Sequence, residues 1–167
     1  MKTAIELRFG NAVEDALGTL RSRVDASIAF MAPLAATKLA SAFENASSGH
    51  EEDWANAAAT CRRVLKEIAD ALRPAGPQVN GRKMSDDAYV NRLIDWIENQ
   101  GVGGTLREVV VSDLGDFGKR IDALAGAGHK GAHSEVTKYE AARAITGTYL
   151  LIGDILDLRD ASSGVPS

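Results

Sequence analysis

Apolar residues recur at intervals of three and four along almost the whole of this 167-residue chain. This spacing places them on one face of an α-helix, whereas a half-buried strand would show strict alternation. We therefore predict an all-α protein, an antiparallel bundle of four to five helices with short connections. Aromatic residues make up only 5% of the sequence, so we expect a core of Ala, Leu, Val and Ile, which suits closely packed helices.

The boundaries of the helices follow from proline, glycine and capping residues. The predicted helices are residues 12–43, 51–72, 87–99, 106–125 and a last helix after Thr137. Pro33 lies inside the first of these segments and predicts a kink or a break, because proline lacks the backbone N–H. Ser48 with Glu51, and Thr137 with Glu140, have the spacing of capping boxes at the starts of the second and last helices.

The length of the chain suits one domain of ordinary size. We predict a single helical domain over residues 1–160, made of an N-terminal helical segment (1–49) and a core (50–160). Residues 161–167, ASSGVPS, are expected to form a frayed tail.

One charged pair is predicted on the surface of the fourth helix. Asp116 and Arg120 lie four residues apart and therefore on the same face of a helix. We expect a surface ion pair between them, worth roughly 0.3–0.5 kcal/mol.

Composition excludes several classes of protein. A net charge of −4 gives no global attraction to nucleic acid, so any contact with RNA must be focused in one site or in a cleft between two copies. The single cysteine, Cys61, cannot form an intramolecular disulfide and falls on an apolar stripe, which predicts a buried side chain. No apolar run approaches the ~20 residues that span a bilayer. We expect a cytoplasmic protein with no membrane contact and no cofactor.

A glycine-rich break, AGAGHKGAHSEVTKYEAARA at residues 125–144, separates the last two predicted helices. In the simplest interpretation it is a loop, in which His133 bonds a backbone carbonyl and Lys130 complements the helix end. In a second interpretation it is a metal site, which would need His129, His133 and a third ligand such as Glu135. The three glycines argue against the rigid helix that would hold these ligands together.

A third interpretation of the same segment is an acid–base site. An imidazole titrates near neutral pH, and a cation beside it can hold a phosphate and stabilise charge that builds on it. His133 with Lys130 has these minimum parts for cleaving RNA without metal, with the RNA 2′-hydroxyl as the nucleophile.

Four short segments in a fixed order resemble a known family. CRRVLKEIADALRP, YVNRLIDWIE, KGAHSEVTKYEA and TYLLIGDIL, within roughly residues 54–158, resemble the HEPN-like helical domains of bacteria. The resemblance is to the kind found in abortive-infection and related phage-defence proteins. It implies a HEPN-like bundle over the core, usually a homodimer, with the functional loop before the last helix. Many members are metal-independent ribonucleases that act as toxins or defence effectors.

The family's active motif is an Arg, commonly followed by a polar residue, with a His five to seven residues after the Arg. His133 matches this histidine, but residues 126–128 contain no arginine. The nearest basic residues are Lys130, three positions before His133, and Arg120, thirteen before. The resemblance thus implies a catalytic set of His133 with Lys130, His129 or Arg120.

Two functions follow from the resemblance. The first is an RNA-directed effector such as a metal-independent ribonuclease. The second is a non-catalytic dimerisation or sensor module that acts with a partner defence protein, because family members without the motif often serve for binding or assembly.

Overall fold

The computed structural model describes residues 4–127 and 136–164, with side chains described for residues 11–126 and 136–164. These ranges contain six helices, and their only β pairing is one isolated bridge between Val79 and Arg82. The all-α prediction is therefore confirmed. The helices are α1 (Ala4–Met31), α2 (Pro33–Ser47), α3 (Glu51–Leu72), α4 (Tyr89–Glu98), α5 (Thr105–Ala127) and α6 (Lys138–Ser162).

The number of helices exceeds the predicted four to five because the first predicted segment is two helices. Ala32 adopts φ −147° and ψ 75°, outside the helical region, and Pro33 occupies the start of α2. Proline suits this position, because its missing N–H would have no intrahelical acceptor there. The break predicted at Pro33 is confirmed.

Of the two predicted N-terminal caps, one forms as predicted and the other does not. At the start of α6, the Glu140 N–H donates to Thr137 Oγ1 at 3.2 Å, as predicted. At the start of α3 the prediction was wrong, because His50 is the N-cap residue and no side chain caps the helix. Since α2 continues to Ser47, Ser48 lies two residues before that cap and accepts the His50 N–H at 3.0 Å instead.

The core has a larger and a smaller cluster of buried side chains. The larger cluster draws on all six helices and consists mainly of Val, Leu and Ile. The smaller cluster lies where α2 and α5 end and where α3 and α6 begin. Its buried members are mostly alanine, namely Ala42, Ala46, Ala57, Ala58, Cys61, Ile121, Ala141, Ala144 and Ile145. Small side chains let these helix ends approach closely, as the low aromatic content led us to expect.

Cys61 is fully buried in this smaller cluster, which confirms the prediction. Burial raises the pKa of its thiol to about 11. The group is therefore a protonated thiol at neutral pH and has little nucleophilic character.

Three glycines lie where a neighbouring helix leaves no room for a Cβ. A Cβ at Gly118 would lie 2.5 Å from Val90 Cγ2, and one at Gly153 would lie 2.7 Å from Leu20 Cδ1. A Cβ at Gly147 would overlap the ring of Phe117. Glycine thus permits α5 to approach α4, and α6 to approach both α1 and α5.

A buried arginine fixes the connector between α3 and α4. Arg92 is fully buried, and its guanidinium donates to Asp70 Oδ1 at 2.6 Å, to the Arg73 carbonyl at 3.2 Å and to the Asp86 carbonyl at 2.9 Å. These bonds hold both ends of the connector against α4. The apolar pattern of the sequence gave no sign of this role.

Within the connector, residues 79–82 form a tight turn. Asn80 (φ 49°) and Gly81 (φ 78°) both adopt positive φ, as a type I′ turn requires. The Val79 and Arg82 backbones pair across it at 2.8 and 3.1 Å. An Asn-Gly pair is the usual sequence for such a turn.

The predicted frayed tail, residues 161–167, is described only as far as residue 164. Helix α6 continues to Ser162, and residues 165–167 lie outside the described residues. In the part of the chain that the structure describes, no helix is both long enough and apolar enough to cross a bilayer.

Candidate functional site

The predicted site lies at the junction between α5 and α6. His129, Lys130, His133 and Glu135 fall within residues 128–135, outside the described residues, so no contact of these side chains is described. Arg120 is described, as are the ends of the two helices that flank the segment. The geometry of the site is therefore built from Arg120 and its surroundings.

Arg120 forms an ion pair with Glu140, which links α5 to the first turn of α6. The predicted pair with Asp116 was wrong, because the Asp116 carboxylate lies 3.6 Å from Lys119 Nζ instead. Arg120 lies on the side of α5 that faces α6, where a carboxylate on another helix is within reach. Glu140 therefore keeps its backbone role in the cap of α6 but directs its carboxylate to Arg120.

The guanidinium of Arg120 is not fully satisfied. Its Nε atom is buried and has no hydrogen-bond partner among the described residues. A buried donor without an acceptor costs about 1–3 kcal/mol.

A second arginine lies beside this pair. Arg143 follows Glu140 by one turn of α6, is exposed, and forms no ion pair within the described ranges. Arg120 and Arg143 line the same groove between α5 and α6, with a volume of about 440 Å³. The two guanidinium groups therefore belong to one surface.

Charge in this groove changes sign along its length. Because α5 and α6 run antiparallel, Arg120 and Arg143 lie at the junction end, whereas Asp113 and Asp154 lie at the other end. Asp113 precedes Arg120 by seven residues, about 10 Å along a helix. Between them the groove is lined by the apolar residues Phe117, Gly147, Leu150 and Leu151, and also by the carboxylate of Asp116, one turn from Arg120.

The acidic end of the groove carries a perturbed carboxyl group. Burial raises the pKa of Asp154, and the neighbouring carboxylates Asp157 and Asp113 raise it further. Three carboxyl groups therefore lie close together at this end of the groove, which disfavours a phosphate there.

Another pair of arginines lies on a different side of the end of α5. Arg62 and Arg63 of α3 line a surface groove of about 360 Å³ together with Ala125 and Gly126. Arg62 donates to Asp122 Oδ1 at 2.7 Å and lies over the ring of Tyr89. Arg63 is exposed and has no ion pair in the described part of the chain.

Arg62, Arg63 and Arg143 were not predicted as site residues. Only the side-by-side arginines of CRRVLKEIADALRP gave a sequence signal, and their proximity to α5 depends on the packing of α3. Together with Arg120, they place guanidinium groups around the last two turns of α5. One guanidinium can donate two parallel N–H bonds to the oxygens of a phosphate, a geometry that lysine does not reproduce.

The described residues offer no alternative metal centre. No group of three or more His, Cys, Asp or Glu side chains among them could hold a metal ion. The metal interpretation depends on His129, His133 and Glu135, which lie outside these residues.

Comparison with known proteins found no matching family model, no similar curated protein and no similar solved structure.

Proposed function

We propose that this protein is a cytoplasmic, HEPN-like defence effector that cleaves RNA without a metal ion at the α5–α6 junction. Its reactive residues are His133, Lys130 and His129, with Arg120 as the fixed cation. The observation that carries the proposal is the position of Arg120, which Glu140 pairs at the first turn of α6.

This position accounts for the separation of Arg120 from His133 in the sequence. Thirteen residues separate them along the chain, but Arg120 contacts Glu140, only seven residues after His133. The N-cap Thr137 is four residues from His133, and four residues of chain span at most about 14 Å. We therefore propose that residues 133–137 let the imidazole of His133 approach the arginines that line the junction.

The chemistry requires two proton transfers and a stabilised phosphate. His133 accepts the proton of the RNA 2′-hydroxyl, whose oxygen attacks the adjacent phosphorus. The bond from phosphorus to the 5′-oxygen breaks, and that oxygen takes a proton from a second acid, the role we give to His129. The products are a 2′,3′-cyclic phosphate and a 5′-hydroxyl. Arg120 and Lys130 stabilise the negative charge that builds on the phosphate.

The groove limits how RNA can bind. We expect phosphates to lie near Arg120 and Arg143, because Asp113 and Asp154 about two turns away, and Asp116 one turn away, repel them on the other side. The arginines on α3 provide a second cationic surface beside Gly126. A strand that crosses the junction from Arg63 to Arg143 avoids the acidic end, so we expect a short contact of a few nucleotides.

The test is RNA cleavage by the purified protein in excess chelator. We expect wild type to cut single-stranded RNA and to leave cyclic phosphate ends, and His133→Ala to lose cleavage by about 100-fold or more while remaining folded. A substrate with one 2′-deoxy nucleotide should resist cleavage at that position only. Intact RNA with wild type, or unchanged cleavage by His133→Ala, would contradict the proposal.

A second candidate function is a non-catalytic sensor module that binds a partner defence protein. The observation that favours it is the set of carboxylates along the groove, from Asp113, Asp116 and Asp154, which suits a basic protein segment better than RNA. If this function is correct, substitution of Asp113 or Asp154 should change the effect of the protein in phage-infected cells. His133→Ala should not change that effect.

A further inference from the structure

The groove between α5 and α6 combines three kinds of surface within one cavity. Its volume of about 440 Å³ falls within the range of pockets that hold a small molecule. Guanidinium groups lie at the junction end, carboxylates lie at the other end, and mostly apolar residues lie between them. A ligand that fills the groove must therefore carry a negative group, a body with an apolar face, and hydrogen-bond donors, in that order.

The spacing of the two charged ends resembles the length of one nucleotide. Asp113 precedes Arg120 by seven residues, so both lie on the same face of α5, about 10 Å apart along the helix. On α6, Asp154 follows Arg143 by eleven residues, about 16 Å, a distance that the long arginine side chain can shorten. A nucleotide has a similar length from its phosphate to the Watson–Crick edge of its base. A phosphate at the arginines would thus place a base edge near the two aspartates.

The stretch between the charged ends suits the face of a base. The ring of Phe117 lines the groove, is only partly buried, and lies so close to Gly147 that a Cβ there would overlap it. Leu150, which is exposed, extends this surface along α6. Bases of single-stranded RNA stack on aromatic side chains, and every base offers such a face. Phe117 can therefore hold a base, but selection among bases must come from polar groups.

The carboxylates that line the groove differ in their surroundings. Asp116 lies 3.6 Å from Lys119 Nζ, which offsets its charge. Asp113 and Asp154 accept no hydrogen bond from the residues that the structure describes. Asp154 is also partly buried, and a hydrogen bond in such a position is stronger than one in water. These two carboxylates are acceptors that the donors of a ligand can use.

We propose that the groove holds the base of the nucleotide whose phosphate lies at Arg120 and Arg143, and that Asp113 and Asp154 select guanine. The Watson–Crick edge of guanine presents two adjacent donors, N1–H and N2–H, which the two oxygens of one carboxylate can accept together. Asp154 accepts this pair, and Asp113 accepts the second N2 hydrogen. Adenine and cytosine present an acceptor beside their amino group, which a carboxylate repels. Uracil presents one N–H between two carbonyl groups.

This inference rests on the proposed contact with RNA at the junction, but it does not rest on cleavage there. It names the substrate class of that contact, which is single-stranded RNA with an unpaired guanine beside the bound phosphate. It agrees with the expected path of the strand, because a neutral base enters the acidic end of the groove while the phosphates stay at the arginines.

The experiment is an NMR titration of the full chain, in chelator, with the 5′-monophosphates of guanosine, inosine, adenosine and uridine. We expect guanosine monophosphate to bind about tenfold or more tightly than the adenosine and uridine compounds, equivalent to about 1.4 kcal/mol or more. Inosine monophosphate lacks the N2 amino group and should bind with intermediate affinity. Guanosine without a phosphate should bind more weakly than its monophosphate, because it leaves the arginines unoccupied.

Two variants separate the base contact from the phosphate contact. Asp154→Asn replaces an acceptor oxygen with an amide donor, so it should lose the preference for guanosine monophosphate and bind adenosine monophosphate as wild type does. Arg143→Ala should weaken all four monophosphates by a similar factor. The control is Glu108→Gln, an exposed carboxylate of α5 outside the groove, which should bind like wild type. Circular dichroism confirms that each variant is folded.

Mapping the cuts in an RNA of mixed sequence gives a second readout, with guanine at a fixed position beside each cut for wild type and no such preference for Asp154→Asn. Equal or absent binding of the four monophosphates would overturn the inference, even if RNA is cut. A guanosine preference that survives Asp154→Asn would also overturn it, because another surface would then read the base. A guanosine preference that Asp154→Asn removes, without cleavage of any RNA, would support the inference and contradict the proposed ribonuclease.

Discussion

Arg120 of α5 pairs with Glu140 of α6, and Glu140 also donates its backbone N–H to the Thr137 cap. One residue therefore fixes the start of α6 and holds a guanidinium beside it. The pair brings together the two helix ends that flank residues 128–135. This relationship is the basis of the proposal that the junction is a reactive site.

Removing the charge of Glu140 tests the structural part of that relationship. Glu140→Gln keeps the backbone cap but weakens the bond to Arg120, so we expect a loss of about 0.5–1 kcal/mol in the free energy of unfolding. Urea denaturation measures it. The control Asp116→Asn disrupts the exposed contact with Lys119 and should change stability by less than about 0.5 kcal/mol. Equal effects of the two substitutions would contradict the assigned pairing.

The buried Arg92 should matter more to stability than any exposed arginine. Arg92→Ala removes three hydrogen bonds and leaves a cavity and two unpaired carbonyl groups, so we expect a loss of about 3 kcal/mol. Arg82→Ala is the control, because it breaks an exposed pair with Glu98 and should cost roughly 0.2–1 kcal/mol. Chemical denaturation of the two variants side by side measures the difference. A loss below about 1 kcal/mol for Arg92→Ala would show that the connector does not depend on it.

Two glycine-to-alanine substitutions should have opposite effects. Gly147→Ala places a methyl group against the ring of Phe117, so we expect a loss of about 1–3 kcal/mol through overpacking. Gly115→Ala meets open space in the middle of α5 and should stabilise by roughly 0.5–1 kcal/mol. Thermal unfolding gives both values. If Gly147→Ala were also stabilising, α5 and α6 would have to lie further apart than described.

The carboxyl groups of Asp154 and Asp86 should contribute to stability with opposite signs. Burial and nearby carboxylates raise the folded-state pKa of Asp154, so its ionised form costs stability at neutral pH. The hydrogen bond from Lys66 lowers the pKa of Asp86, so its ionised form adds stability there.

Asp154→Asn should therefore raise the melting temperature at pH 7, and Asp86→Asn should lower it. Both differences should shrink as the pH falls towards and below the ordinary carboxyl pKa of 3.8, because the carboxyl group is then protonated in both states. Melting curves from pH 7 down to the lowest pH at which the chain folds provide the measurement. A pH-independent difference would show that substitution acts through packing instead.

The sequence predicted those features of the fold that depend on neighbouring residues. The spacing of apolar positions gave the helices, Pro33 gave the break between α1 and α2, and Thr137 gave the cap of α6. Cys61 was correctly predicted as buried because its position on an apolar stripe is a local property.

Features that depend on contacts between distant segments were not predictable in this way. Asp116 lies four residues from Arg120 and was the expected partner, but the packing of α5 on α6 brings Glu140 closer. The burial of Arg92 depends likewise on carbonyl groups that the connector presents after folding. Arg143 lines the groove only because α6 packs antiparallel to α5.

The central claim is that Arg120 belongs to an RNA-cleaving site. Its most direct test is the rate of RNA cleavage without metal by the Arg120→Ala variant. The control is Arg107→Ala, at the opposite end of α5. The account predicts that Arg120→Ala slows cleavage by about 100-fold or more, as expected when one donor to the developing charge is lost, and that Arg107→Ala keeps the wild-type rate within about twofold. Equal rates for the two variants would contradict it.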